Sequence, residues 1–154
     1  MRQPWRRAGA ADVEAVAALM EAFYDESHAN WDRPAARFAM RRLLATPELG
    51  EIWVAPGDAG YIVLTFGYSL EFGGRDAMID EFFVRPEARG QGLGRAGLDQ
   101  VVDWCRAEGV TAIHLEVESH NPDASRLYRR AGFADHDRHL MTRRVEDARP
   151  ASEN

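Results

Sequence analysis

Apolar positions recur in two rhythms along this chain. Val13, Val16, Ala17, Leu19, Met20, Phe23 and Tyr24 follow the 3.6-residue period of one helix face, which predicts a helix from a cap at Asp12 to about His28. A second helix is predicted from Pro34 to Ala45, where Phe38, Arg41 and Arg42 mix apolar and basic faces. The rhythm then shortens. "EIWVA" and "YIVLTFGYSLEF" read as strands separated by "PGDAG", and Gly73-Gly74 predicts a tight turn into a further strand, "DAMIDEFFV". Helical spacing returns from Leu93 to Glu108, with Leu93, Ala96, Gly97, Val101 and Trp104 inward and Gly109 as the stop. "TAIHLEVE" reads as a strand, and Asn121-Pro122 opens a helix that ends at Gly132. "QPWRRA" is a short first strand, and "FADHDRHLMTRRV" a last strand or hairpin arm.

Hairpins beside a strand–helix–strand crossover imply an α/β (α+β) fold built on a mixed, mostly antiparallel sheet. The 154 residues suit one domain over 1–145, with "EDARPASEN" (146–154) as a disordered tail. One cysteine, Cys105, rules out an internal disulfide framework and a multi-cysteine zinc site, and its place on the inward side of a helix makes it a core residue. No run reaches the length of a membrane span and no signal-peptide core is seen, so a cytoplasmic protein is expected. A net charge of −6 argues against nucleic acid as the main partner and fits a cationic one. All 19 basic residues are arginine, which excludes a P-loop and any lysine nucleophile or base. His136 and His139 form no metal set with nearby carboxylates, His114 reads as structural, and no metal is expected.

The densest glycine run, "VRPEARGQGLGRAG", holds two overlapping phosphate-binding patterns. Gly92-Leu-Gly94-Arg-Ala-Gly97 matches a dinucleotide fingerprint, with Glu116 and Glu118 about 20 residues on. Seven residues, "RPEARGQ", separate it from the strand, however, and the segments before it are hairpins rather than alternating strands and helices. A dinucleotide fold needs the opposite on both counts. The second pattern, Arg89-x-x-Gly92-x-Gly94, offers successive backbone N–H groups at a helix start without Cβ atoms in the way. Gly97 then serves close packing of the helix on the sheet.

"IDEFFVRPEARGQGLGRAGL" and "HLEVESHNPDASRLYRRAGF" resemble motifs A and B of the GNAT superfamily of acyl-CoA N-acyltransferases, and the order of elements around them matches as well. The resemblance implies that acyl-CoA binds at splayed central strands. It implies that the backbone of Phe82, Phe83 and Val84 pairs with pantetheine. Arg89, Gly90, Gln91, Gly92, Leu93, Gly94 and Arg95 would then hold the pyrophosphate, and Asn121 and Ser125 would lie against the cofactor. Acetyl-CoA is the expected co-substrate, and Tyr128 looks like the family's general acid.

The implied chemistry is attack of an amine on a thioester. Only roughly one alkylamine in 10³ is unprotonated at neutral pH, so deprotonation costs about 4 kcal/mol and a carboxylate base is useful. Asp80 and Glu81 are adjacent and are expected to point to opposite faces of their strand. Likeness of "IDEFFV" to the acid-acid-Phe-Phe-Val stretch of diamine acetyltransferases favours Asp80, whereas alternation pairs Glu81 with Ile79 and Phe83; both stay candidates, with the preference on Glu81. Glu71, Asp80, Glu81, Glu116 and Glu118 on strands, with Asp25 and Glu26 ending the first helix, predict a cluster that holds a small cationic amine. Acylation of a protein N-terminus or lysine, or cofactor sensing without catalysis, are the alternatives. Homodimers are frequent in this superfamily.

Overall fold

The computed structural model describes residues 3–27 and 30–145. Strands β1 (Arg6–Arg7), β2 (Gly50–Val54), β3 (Gly60–Ser69), β4 (Gly74–Val84) and β5 (Ala112–Leu115) form one sheet in the order β1-β2-β3-β4-β5. The first four run antiparallel and β5 lies parallel to β4. Helices are α1 (Val13–Ser27), α2 (Arg33–Ala45), α3 (Leu93–Ala107) and α4 (Pro122–Arg130). The mixed, mostly antiparallel sheet expected from the sequence is present. The end of the first helix at His28 and the tail 146–154 lie outside the described residues.

Two cores sandwich the sheet. On one face Val16, Leu19, Met20 and Tyr24 of α1 and Met40 of α2 pack on Ile52, Val54, Tyr61, Val63 and Phe83. On the other, Leu98, Val101 and Cys105 of α3 pack on Trp53, Ile62, Leu64, Ala77 and Ile79. Period-2 alternation explains the split along β2 and β3, since Tyr61 and Val63 face α1 while Ile62 and Leu64 face α3. Burial drives the thiol of Cys105 up to about 11, which suits a core residue.

Gly97 carries the close packing its small size predicts. A Cβ there would sit 2.6 Å from the Trp5 indole. Trp5 cannot retreat, because its Nε1–H donates to the Leu93 carbonyl (3.1 Å) and Gln100 both accepts from its N–H and donates to its carbonyl. Gly97→Ala is therefore expected to destabilise the fold by about 1–2 kcal/mol, overpacking outweighing roughly 1 kcal/mol of gained helix propensity. A denaturant midpoint that rises instead would refute this.

Several boundaries differ from expectation. Asp12 sits inside a short 3₁₀ turn (Ala10–Asp12), where its carboxylate accepts the Gly9 N–H at 2.8 Å and pairs with Arg6, rather than capping α1 itself. β3 stops at Ser69, and four residues, Leu70–Gly73, join it to β4, so Gly74 is already paired with Ser69. β5 covers only Ala112–Leu115, which leaves Glu116 and Glu118 off the strand. Residues 133–145 contain no strand; Leu140, Met141 and Val145 stand exposed there, because they do not alternate with polar residues and offer no face to bury.

Candidate functional site

The site begins with a change of register. Val63 pairs with Glu81 but Leu64 pairs with Ile79, so β4 carries one extra residue, Asp80, as a β-bulge. Alternation resets at that point. Ala77, Ile79 and Phe82 face α3, whereas Glu81 and Phe83 face α1. Glu81 thus shares a face with Phe83, as alternation predicts, but not with Ile79.

The parallel ladder of β4 and β5 also stops here, at Ile79 and Leu115. Beyond it β4 runs on to Val84 with β3 on one side and no strand on the other among the described residues. The backbone of Phe82, Phe83 and Val84 lies in this half-paired stretch. The glycine loop follows directly. Gly90 and Gly92 adopt positive φ (74° and 78°), and Gly92 is the N-cap of α3. Ala96 is the first residue to close a helical turn, onto the Gly92 carbonyl at 3.1 Å. Among the described residues, the N–H groups of Gly90, Gln91, Gly92, Leu93, Gly94 and Arg95 have no backbone acceptor. Six such donors at the positive end of a 15-residue helix form an anion cradle suited to a pyrophosphate. Gly94 faces the Phe82 ring, where a Cβ would come within 3.2 Å.

Two arginines of the loop are already engaged. Arg89 donates from Nε to the Val84 carbonyl (2.8 Å) and from Nη2 to both oxygens of Glu26 on α1 (2.7 and 2.8 Å), and Arg95 pairs with Asp99.

Glu81 is the most constrained carboxylate of the site. Tyr24 on α1 donates its hydroxyl to Oε1 at 2.5 Å, and Tyr61 on β3 donates to Oε2 at 3.0 Å. Burial raises its carboxyl above the usual range, opposed by these two hydrogen bonds. Burial among its neighbours also raises Asp80, although this side chain reaches solvent and makes no such bonds. The tyrosines were not singled out from sequence as partners. A phenol on the apolar face of the first helix and another opening an aliphatic strand were the available signals, because a buried tyrosine hydroxyl needs an acceptor.

Tyr128 lies across the sheet from Glu81. Its ring packs between Phe82 (6.2 Å between centroids) and Phe133 (6.0 Å), and its hydroxyl has no hydrogen-bond partner among the described residues. Burial pushes that hydroxyl up to about 12, so it is protonated throughout the neutral range. Asn121 caps α4, its side chain accepting the Ala124 N–H at 3.2 Å. Ser125 and Tyr128 line one groove of about 860 Å³ beside β5.

The expected acidic cluster is largely spoken for. Arg33 bridges Asp25 and Glu21, Arg89 holds Glu26, Arg138 holds Glu71 (2.9 Å), and Glu118 lies 2.8 Å from His120. Glu71 lies in the turn after β3, not on a strand. His114 contacts Asp76 (3.0 Å) and the Phe72 ring, a structural arrangement.

Comparison with known proteins bears on this geometry. Residues 15–133 match the model of the acetyltransferase (GNAT) family. Over 93 residues the chain is 32% identical to thialysine N-epsilon-acetyltransferase of Bos taurus, covering 56% of this chain and 54% of that enzyme. It thus spans about half the length of that curated relative. Over 152 residues it is 27% identical to streptothricin acetyltransferase of Streptomyces lavendulae, covering 84% of this chain and 80% of that enzyme. An integron cassette protein from the mobile metagenome of Cole Harbour Salt Marsh superposes with a TM-score of 0.81 at 40% identity, over 92% of this chain and 90% of that one. A possible acetyltransferase from Clostridium difficile 630, at 20% identity and a TM-score of 0.81 over 94% of this chain and 99% of its own, shares the fold. Matched by the family model across both the bulged strand and the glycine loop, the chain belongs to the GNAT acetyltransferase family, which uses acetyl-CoA as co-substrate.

Proposed function

We propose that this chain is an N-acetyltransferase that moves the acetyl group of acetyl-CoA onto the primary amine of a small cationic acceptor, by direct attack in a ternary complex. One observation carries this reading: a half-buried carboxylate, Glu81, and a protonated phenol, Tyr128, flank the half-paired end of β4, which leads straight into the anion cradle. When bound, acetyl-CoA supplies the activated acyl group. The residues from Arg89 to Arg95 hold its pyrophosphate, the backbone of Phe82, Phe83 and Val84 pairs with pantetheine, and Asn121 and Ser125 lie beside it.

Glu81 accepts the proton that the ammonium must lose before its nitrogen can attack the thioester carbonyl, directly or through a water. As the carbon–sulfur bond breaks, Tyr128 gives its proton to the departing sulfur. Asp25, Glu26 and Glu71 are paired with arginines, so the charge offered to a cationic acceptor narrows to the neighbourhood of Asp80 and Glu81. A compact amine with one ammonium fits this better than a polyamine. Three relatives of the chain are named for acetylation of thialysine, streptothricin and methionine sulfoximine or sulfone.

A homodimer belongs to the same reading, supported by β5, whose outer edge has no partner strand among the described residues. A cytoplasmic enzyme without nucleic-acid partners fits the charge balance, and no helix among the described residues is long and apolar enough to cross a membrane.

The test is release of free CoA from acetyl-CoA across a panel containing thialysine, streptothricin, methionine sulfone, a diamine and a lysine peptide. Turnover is expected with a small amine. Tight acetyl-CoA binding without CoA release from any of them would leave a sensor, and turnover confined to the peptide a protein acetyltransferase.

A further inference from the structure

Resting on the reading of Glu81 as the base, we propose that Tyr24 and Tyr61 are positioning residues, a two-hydroxyl clamp that holds the Glu81 carboxylate in one orientation and keeps it ionised at its half-buried place beside the core. Tyr24 Oη stands 2.5 Å from Oε1 and 3.3 Å from Oε2, and Tyr61 Oη stands 3.0 Å from Oε2. The two donors come from different elements, α1 and β3, so the carboxylate is fixed from two directions. Each oxygen accepts one short bond and keeps a lone pair free for an incoming N–H or water.

The choice of donor matters. The titratable groups facing Glu81 are Tyr24 from α1, with Glu21 one turn earlier acting on Tyr24, Tyr61 from β3 and Asp80 from β4. No cation is among them. An arginine at this distance would hold the carboxylate so firmly in its charged form that it would be a poor proton acceptor. Two neutral hydroxyls stabilise the ion against desolvation without cancelling its charge. Both phenols are raised by burial and by the carboxylate itself, so they stay protonated, and remain donors, wherever Glu81 is ionised.

The clamp is braced from outside. Tyr24 is nearly inaccessible because the Trp31 ring stacks on it, with centroids 4.7 Å apart and planes 10° from parallel. The indole N–H of Trp31 donates to Ser27 Oγ (3.2 Å), and Ser27 Oγ donates to the Tyr24 carbonyl (3.1 Å). Trp31, just ahead of α2, therefore covers the residue that aims the base. Tyr61 is held by its own burial and by edge contacts with Phe23 and Phe83.

The experiment follows the Glu81 carboxyl by carbon-13 NMR titration of glutamate-labelled protein, its signal assigned by its absence in Glu81→Gln. Tyr24→Phe, Tyr61→Phe and the double variant remove a hydroxyl and keep the ring. Each single change is expected to raise the Glu81 midpoint by about one pH unit, the double by more, because a hydrogen bond to the charged form is lost. The acid limb of the turnover profile, read with whichever panel amine is accepted, should move up by the same amount. A midpoint unmoved in the variants overturns the clamp, whereas one that moves while the limb stays keeps the clamp and overturns Glu81 as the base. Full turnover in Glu81→Gln overturns the base instead, and is told apart because the midpoint shifts would persist. Should the double variant not fold, the single variants carry the same readout.

Discussion

Glu81→Gln is expected to lower turnover by about 10²–10⁴-fold while leaving acetyl-CoA affinity nearly unchanged. The amide keeps the shape and the bond to at least one tyrosine hydroxyl but cannot take a proton. Asp80→Asn should change turnover only a few-fold, since that side chain is solvent-exposed and lacks fixed partners. The pH dependence follows from the direction of the Glu81 shift. A base works only when ionised, and burial raises its carboxyl above the ordinary carboxylate range. Activity should therefore fall, as pH is lowered, at a pH above the ordinary value for glutamate. In Glu81→Gln this acid limb should vanish. Larger loss in Asp80→Asn than in Glu81→Gln would hand the role to Asp80.

Tyr128→Phe is expected to be the second severe change, lowering turnover by about 10²-fold or more with acetyl-CoA affinity altered less than about threefold. The phenyl ring would keep its contacts with Phe82 and Phe133, so packing and the groove wall survive. Only the proton for the leaving sulfur is lost. The hydroxyl makes no hydrogen bond among the described residues, so its removal leaves no protein group stranded. Small and equal losses in turnover and in affinity, measured by CoA release and by equilibrium titration, would make Tyr128 a packing residue.

Much of the fold was legible because its signals are local. Gly73, Gly109 and Gly132 mark ends of elements by positive φ, Asn121-Pro122 sets the start of α4, and apolar spacing separates helices from strands. The shape of the glycine loop was legible for the same reason: Gly90, Gly92 and Gly94 alternate at the start of a helical stretch, and the first two take the positive φ that favours glycine. What escaped depends on contacts between distant segments. The bulge at Asp80 is a disagreement between β3 and β4, and neither strand announces it alone. β5 reads as longer than it is because "LEVE" alternates well, yet β4 bears off at the bulge and leaves those residues without a partner. The acids were visible, but their neutralisation was not, since Arg138 lies 67 residues from Glu71 and Arg89 lies 63 from Glu26. Tyr24 and Tyr61 needed the packed core to meet Glu81 at all.

The bulge separates two things that a sequence position usually combines, a unit of chain length and a place in the alternation. Residue 80 takes up the first without the second, because Ile79 and Glu81 keep the opposite faces set by Leu64 and Val63, their partners on β3. Removing residue 80 would set Glu81 directly after Ile79 in unbroken pairing, with its carboxylate still toward α1, whereas straightening the bulge with residue 80 in place would turn Glu81 to the α3 side. Among variants of this chain, then, position 80 should accept many residues, or a gap, without loss of the aim of Glu81.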